Sequence, residues 1–114
     1  MRAALAALLL TAGALSAQEA PGALNDYPTA ARADYVFACM ASNGQSRDIL
    51  EKCACSIDVI ASLLPYEKYV QAETVLSLRL TGGERMAVFR SAASANALVA
   101  DLRRAQAESE ILCF

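Results

Sequence analysis

The stretch Ser46-Arg47-Asp48-Ile49-Leu50-Glu51-Lys52-Cys53-Ala54-Cys55-Ser56-Ile57-Asp58-Val59-Ile60-Ala61-Ser62-Leu63-Leu64 decides how the chain folds. Its apolar residues stand at 49, 50, 53, 57, 60, 61 and 64, the i, i+3, i+4, i+7 spacing of one buried helical stripe. Ser46 is placed to accept a hydrogen bond from an unpaired N–H of the first turn. Asp48 puts negative charge in that turn, where the helix dipole favours it. Pro65 ends the helix, because the residue before a proline is pushed out of the α region.

Cys53 and Cys55 are two positions apart, which on a helix sets them about 200° apart around the axis. Cβ vectors that diverge in this way cannot be bridged, so neither thiol reaches the other while the helix persists. Each therefore needs a distant partner, and Cys39 and Cys113 are the remaining cysteines. Of the three connectivities open to four cysteines, two survive. Cys39–Cys53 with Cys55–Cys113 is the favoured one. Cys39 precedes an Asn43-Gly44-Gln45 turn, and an antiparallel helix pair brings it opposite about residue 50, nearer Cys53 than Cys55. In a chain-entropy estimate the shorter loop contributes ~3 kcal/mol and the longer ~4 kcal/mol, sums comparable with the net stability of a domain this size.

Residues 1–17 read as a secretory signal peptide. Met1-Arg2 is a short basic start, Ala3 to Leu10 an apolar run, and Ala14-Leu15-Ser16-Ala17 a small-residue end with cleavage expected after Ala17. The apolar run is too short and too rich in alanine for a membrane span, so none is expected after cleavage. Export and an even number of cysteines support each other, since an oxidising compartment permits disulfides and a small domain gains from them. A bacterial periplasm is the expected location. Without Arg2 the ten basic residues become nine against twelve acidic ones, a net charge near −3. No block of Lys or Arg exists to attract phosphates, which argues against a nucleic-acid partner.

Residues 18–25 read as a flexible linker, leaving 26–114 as a single helical domain. A first helix opens at Asp26-Tyr27-Pro28-Thr29, capped by Thr29 or Asp26, and runs to about Ser42, where Gly44 ends it by accepting a positive φ. Arg32, Val36, Cys39 and Met40 share one face, with Tyr35 beside them. Pro65 opens a third helix to about Leu80, with Tyr66, Tyr69, Val70, Glu73, Leu76 and Leu80 at helical spacing. Thr81-Gly82-Gly83 breaks the chain. A short helix at 84–90 should turn Met86 and Phe89 inward. A final helix, begun by Ser91 or Ser94, runs to about Ile111, its stripe formed by Ala95, Leu98, Val99, Leu102, Ala105, Ser109 and Leu112. No period-two alternation competes. The expected fold is all-α: a disulfide-stapled bundle of four main helices plus a short connecting helix.

No catalytic constellation is visible, and no enzyme activity is expected. The chain has no histidine, which removes most general-base and transition-metal chemistry and a C-x-x-C-H haem site. The cysteine gaps of thirteen, one and fifty-seven residues do not match the paired C-x₂₋₄-C spacing of structural zinc. The acids are dispersed, without a calcium loop, so no metal and no cofactor is expected. Asp58 and Glu73 still stand out near the apolar stripes. With Arg32 they suggest a partly buried ion pair that sets helix register, or a polar patch in a binding groove. Tyr27, Tyr35, Tyr66 and Tyr69, with Phe37, form an aromatic set near the two proline-led helix starts. Exposed, it would mark an interaction surface. Buried, it is core with hydrogen-bonded tips.

The blocks Asp26-Tyr27-Pro28-Thr29, "ACMASNGQ" at 38–45, "CACSIDVIASLLPYEKYVQAET" at 53–74 and "LRRAQAESEILCF" at 102–114 resemble small exported four-cysteine helical proteins of proteobacteria. That group has no assigned function and is linked with periplasmic quinoprotein alcohol oxidation. The resemblance implies an accessory or carrier role beside a quinone-dependent dehydrogenase and carries over no functional residue. The expectation is thus a non-enzymatic periplasmic accessory or protein-binding module with a protein partner, a homodimer being a further arrangement. The alternative is a small-ligand or metal carrier, for lanthanide or calcium. A thiol–disulfide redox protein ranks third.

Overall fold

In the computed structural model, which describes residues 25–114, the chain forms α1 (Thr29–Asn43), α2 (Arg47–Leu63), α3 (Tyr66–Leu80), a short α4 (Ala87–Ser91) and α5 (Ala93–Cys113). A 3₁₀ turn at Glu84–Met86 leads into α4. The described residues contain no strand. The fold is therefore the all-α bundle of four main helices with a short connector. The signal-peptide reading of 1–17 and linker residues 18–24 lie outside the described residues. Asn25, expected to close that linker, already takes part in the fold: its Oδ1 accepts the backbone N–H of Tyr27 at 3.0 Å.

Helix α2 starts and stops as its residues dictate. Ser46 Oγ accepts the N–H of Ile49 at 3.2 Å, Asp48 lies in the first turn, and Leu64 before Pro65 has extended backbone. Gly44 leaves α1 at φ 121°, a left-handed value that costs glycine nothing. The register of α1 on α2 is antiparallel. As residue number falls along α1 it rises along α2, through Cys39–Cys53, Tyr35–Ser56 and Arg32–Asp58. The other side of α2 packs on α5, which also carries α3 and α4.

The start of α1 differs from expectation. Pro28 occupies the N-cap position, and no side chain caps the helix. Asp26 instead caps α3: its Oδ2 accepts the N–H of Tyr66 at 3.0 Å, one of the first-turn donors a helix cannot satisfy itself. Tyr27, buried, donates from its hydroxyl to the Leu64 carbonyl at 2.8 Å. Three consecutive segments thus meet at one knot. The start of α5 also differs. Ala92 is its N-cap, because Ser91 belongs to α4 and spends its hydroxyl on the Ala87 carbonyl.

The core joins Tyr27, Ile57, Ile60, Ala61, Leu64, Ala72, Leu102 and Ala105, and a smaller cluster of Val75, Ala95 and Val99 extends it toward α4. Met86 and Phe89 are half-buried, and the rest of 84–90 is exposed. Four expected stripe residues fall outside the core, Val70 and Glu73 on α3 among them. Leu80 is 89% exposed, at the end of α3 where the chain turns off through Gly82 and Gly83. Leu112 is exposed, because Cys113 instead completes the face of α5 begun by Ala105 and Ser109. Arg79 ties the connector down, donating from Nε to the Phe89 carbonyl at 2.8 Å and from Nη2 to Asn96 Oδ1 at 2.6 Å.

Both favoured disulfides are present, Cys39–Cys53 from α1 to α2 and Cys55–Cys113 from α2 to α5, and no cysteine is free. Cys53 is fully buried, whereas Cys55 is exposed and Cys113 half-buried. Exchange needs access of a thiolate to sulfur. Under graded reductant with alkylation and mass spectrometry, Cys55 and Cys113 should be labelled before Cys39 and Cys53. Tyr27→Phe should cost about 1 kcal/mol by leaving the Leu64 carbonyl without its donor, read as a lower urea midpoint at unchanged m-value.

Candidate functional site

Two concave surfaces flank α1, which packs chiefly on α2 and has no fully buried residue of its own. The first is a cleft of ≈ 590 Å³ enclosed by α1, α3 and α5, with Ser56 of α2 at its floor. Asp34, Tyr35, Tyr69, Glu73, Gln106, Ser109, Glu110 and Phe114 line it. The second is a shallower groove of ≈ 1000 Å³ between α1 and α3. Pro28, Ala30, Ala31, Ala33 and Phe37 form one wall; Tyr66, Tyr69, Val70, Thr74, Ser77 and Leu78 form most of the other. Asp34, Tyr69 and Glu73 belong to both surfaces.

The cleft floor is polar. Ser56 and Ser109, both buried, have their Oγ atoms 2.9 Å apart. Ser109 Oγ donates to the Gln106 carbonyl at 2.7 Å, so its single proton is spent and Ser56 must donate to it. Tyr35 then donates to Ser56 Oγ at 3.4 Å. The result is a directed row of hydroxyls from Tyr35 to the α5 backbone. Ser56 was not anticipated as a site residue. The signal was there, a hydroxyl among Cys53, Ile57 and Ile60 on a core face, opposite Ser109 on another.

Asp58 and Glu73 occupy different surroundings. Asp58 Oδ1 accepts from Arg32 Nη2 at 2.6 Å, and both side chains are partly exposed, so the pair contributes at most about 1 kcal/mol. Arg32 Nε is buried without a partner, which makes the contact single rather than bidentate. The expected ion pair is therefore Arg32–Asp58, without Glu73. Glu73 sits on the cleft rim, its carboxyl held above the ordinary range by partial burial, with Arg103 acting in the opposite direction. Among the described residues no group of three or more Cys, Asp or Glu side chains is arranged to hold a metal ion.

The tyrosines divide in two. Tyr27 is core, with its ring centroid 5.1 Å from that of Tyr66 and 5.2 Å from that of Tyr69, and Tyr66 and Tyr69 stack at 6.3 Å. Tyr35 stands on the cleft side with its bond to Ser56. Phe37 is 78% exposed beside the groove. Burial lifts the Tyr27 hydroxyl well above the ordinary tyrosine value, with the nearby Tyr69, Asp26 and Tyr66 adding to the effect. Tyr69 is pushed up to about 12, first by burial and then by the charges of Glu73, Tyr35 and Asp34.

No protein-family model matches the chain, and no curated protein or solved structure shows significant similarity to it.

The Tyr69 shift has a definite sign. The folded value of about 12 lies above the ordinary 10.0, so in this window the unfolded chain loses its proton first. The neutral hydroxyl's contribution is complete below pH 10.0 and is lost as pH rises through about 12. Phenolate absorbance should show tyrosines titrating late in the folded chain, and Tyr69→Phe should flatten the alkaline loss of stability in urea titrations.

Proposed function

We propose that the chain is a non-enzymatic, exported accessory protein of the periplasm whose α1–α3 groove docks a protein partner. The observation that carries this reading is the groove itself. Its walls are mainly apolar, Phe37 and Val70 stand exposed along it, and no element of the described chain covers that side of α1. Exposed apolar residues gathered along a concavity mark interaction sites more often than singly scattered ones do. Ala30, Ala31 and Ala33 keep one wall low, which suits the approach of a helix laid in the groove. Asp34 and Glu73 line it without any Lys or Arg. The fitting occupant is an amphipathic helix with an apolar face and a basic flank.

The two disulfides favour an oxidising location, in keeping with the leader read at 1–17. No helix of the described residues is long and apolar enough to cross a membrane. All four cysteines are held in bonds that clamp helices together, which favours a binding role over thiol exchange. The resemblance noted above makes a periplasmic quinoprotein dehydrogenase the first partner to test.

A photo-crosslinking residue in place of Phe37 should give a discrete crosslinked band in the periplasm, and one in place of the still more exposed Leu80 should not. Val70→Asp should abolish the band while leaving the helical signal unchanged. Recovery of uncrosslinked chain alone would refute the reading.

A further inference from the structure

The cleft shares Asp34, Tyr69 and Glu73 with the groove, but its polarity is its own. Of its lining residues, Asp34, Glu73 and Glu110 are acidic, and none is Lys or Arg. The hydroxyl row points inward, since Tyr35 gives its proton to Ser56, Ser56 to Ser109, and Ser109 to the Gln106 carbonyl. A tyrosine hydroxyl that has spent its one proton offers only lone pairs to anything else. Asn43 gives its amide to Cys39, and Ser42 gives its proton to the Ala38 carbonyl. The hydrogen-bond donors left to the lining are the Tyr69 hydroxyl, the Gln106 amide and the second amide N–H of Asn43, which has only the Cys39 sulfur at 3.8 Å. Everything else polar accepts. The rings of Tyr35, Tyr69 and Phe114 supply apolar walls with π faces. The nearby cations stand outside the lining: Lys52 pairs with Asp48 at 3.0 Å and stands 5.9 Å from the Phe114 ring centroid, and Arg103, whose charge reaches Glu73, donates from Nη1 to the Gln106 side chain.

A concavity of this size falls in the range of small-ligand sites. The geometry points to a binding site for an organic ammonium ion, a primary amine on a small apolar or aromatic body. The ammonium carries only donors and a positive charge, which match the carboxylates and the Tyr35 oxygen. The apolar body lies against Tyr69 and Phe114, where an aromatic face also attracts the cation. An anionic ligand meets three like charges, and a neutral alcohol finds little to do with its lone pairs. The three carboxylates make the cleft an acceptor before any ligand arrives, and the long 3.4 Å contact of the Tyr35 hydroxyl with Ser56, itself bonded inward to Ser109, turns the Tyr35 proton away from the cleft.

The experiment uses the oxidised chain, backbone-amide NMR and three probes of one shape: phenethylammonium, 2-phenylethanol and 3-phenylpropionate. Saturable shifts at Tyr35, Ser56, Tyr69 and Ser109 are expected with phenethylammonium alone. Glu73→Gln should weaken that binding about tenfold, and Tyr35→Phe should weaken it also. Phe37→Asp, which alters the docking groove, should leave it unchanged, so the two sites fail or succeed separately. Equal binding of the alcohol or the carboxylate, shifts centred elsewhere, an undiminished affinity in Glu73→Gln with its helical signal intact, or no saturable shift with phenethylammonium would each overturn the assignment.

Discussion

Two thiols on one rod, separated by a single alanine, point to opposite sides of it, and the architecture is arranged around that fact. Cys53 faces α1 and Cys55 faces α5, so α2 becomes the element to which both neighbours are bonded. Packing follows the same lines. Ile57, Ile60 and Ala61 of α2 meet Leu102 and Ala105 of α5 in the main core, while α1 lies along the other flank in antiparallel register. A chain of this size buries a limited core. Covalent ties at both seams hold helices whose apolar contact is modest, and α1, with no fully buried residue, depends on its tie most.

The knot at Asp26 and Tyr27 supplies the second constraint. A carboxylate there caps α3 and a phenol there closes the end of α2. This anchors the entry of α1 at the α2–α3 corner. Further along, α1 packs chiefly on α2, and the concavities it shares with α3 and α5 lie on its two sides. One becomes an apolar trough, the other a polar recess floored by serines. Both concavities share one geometric cause, a helix packed chiefly against a single neighbour.

Much of this is legible in the residues. The stripe, cap and terminating proline of α2 are local features, and local features survive into the fold with Ser46 and Leu64 in their expected roles. The disulfide pairing followed from rotation about a helix axis plus the antiparallel turn at Gly44. What escaped was long-range. Asp26 looks like a cap for its own helix and serves another forty residues away. Glu73 and Asp58 share a pattern of placement on apolar faces, yet one pairs with Arg32 and the other borders the cleft with Tyr69. Ser56 and Ser109 become a unit through the α2–α5 crossing, which no periodicity within either helix specifies. Leu80 and Leu112 fit a stripe but lie where the neighbouring helices have ended or another residue has taken the face.

The placement of the aromatic side chains has an optical consequence. The chain has no tryptophan, and its four tyrosines, at 27, 35, 66 and 69, all sit where α1 meets the α2–α3 corner or the recess beside it. Tyrosine emission therefore samples that corner and has no reporter in α4 or α5. Far-ultraviolet dichroism weighs every helix alike. When the two signals melt together the domain is opening as one unit, and when they part, the gap between them measures how independently the singly held helix lets go.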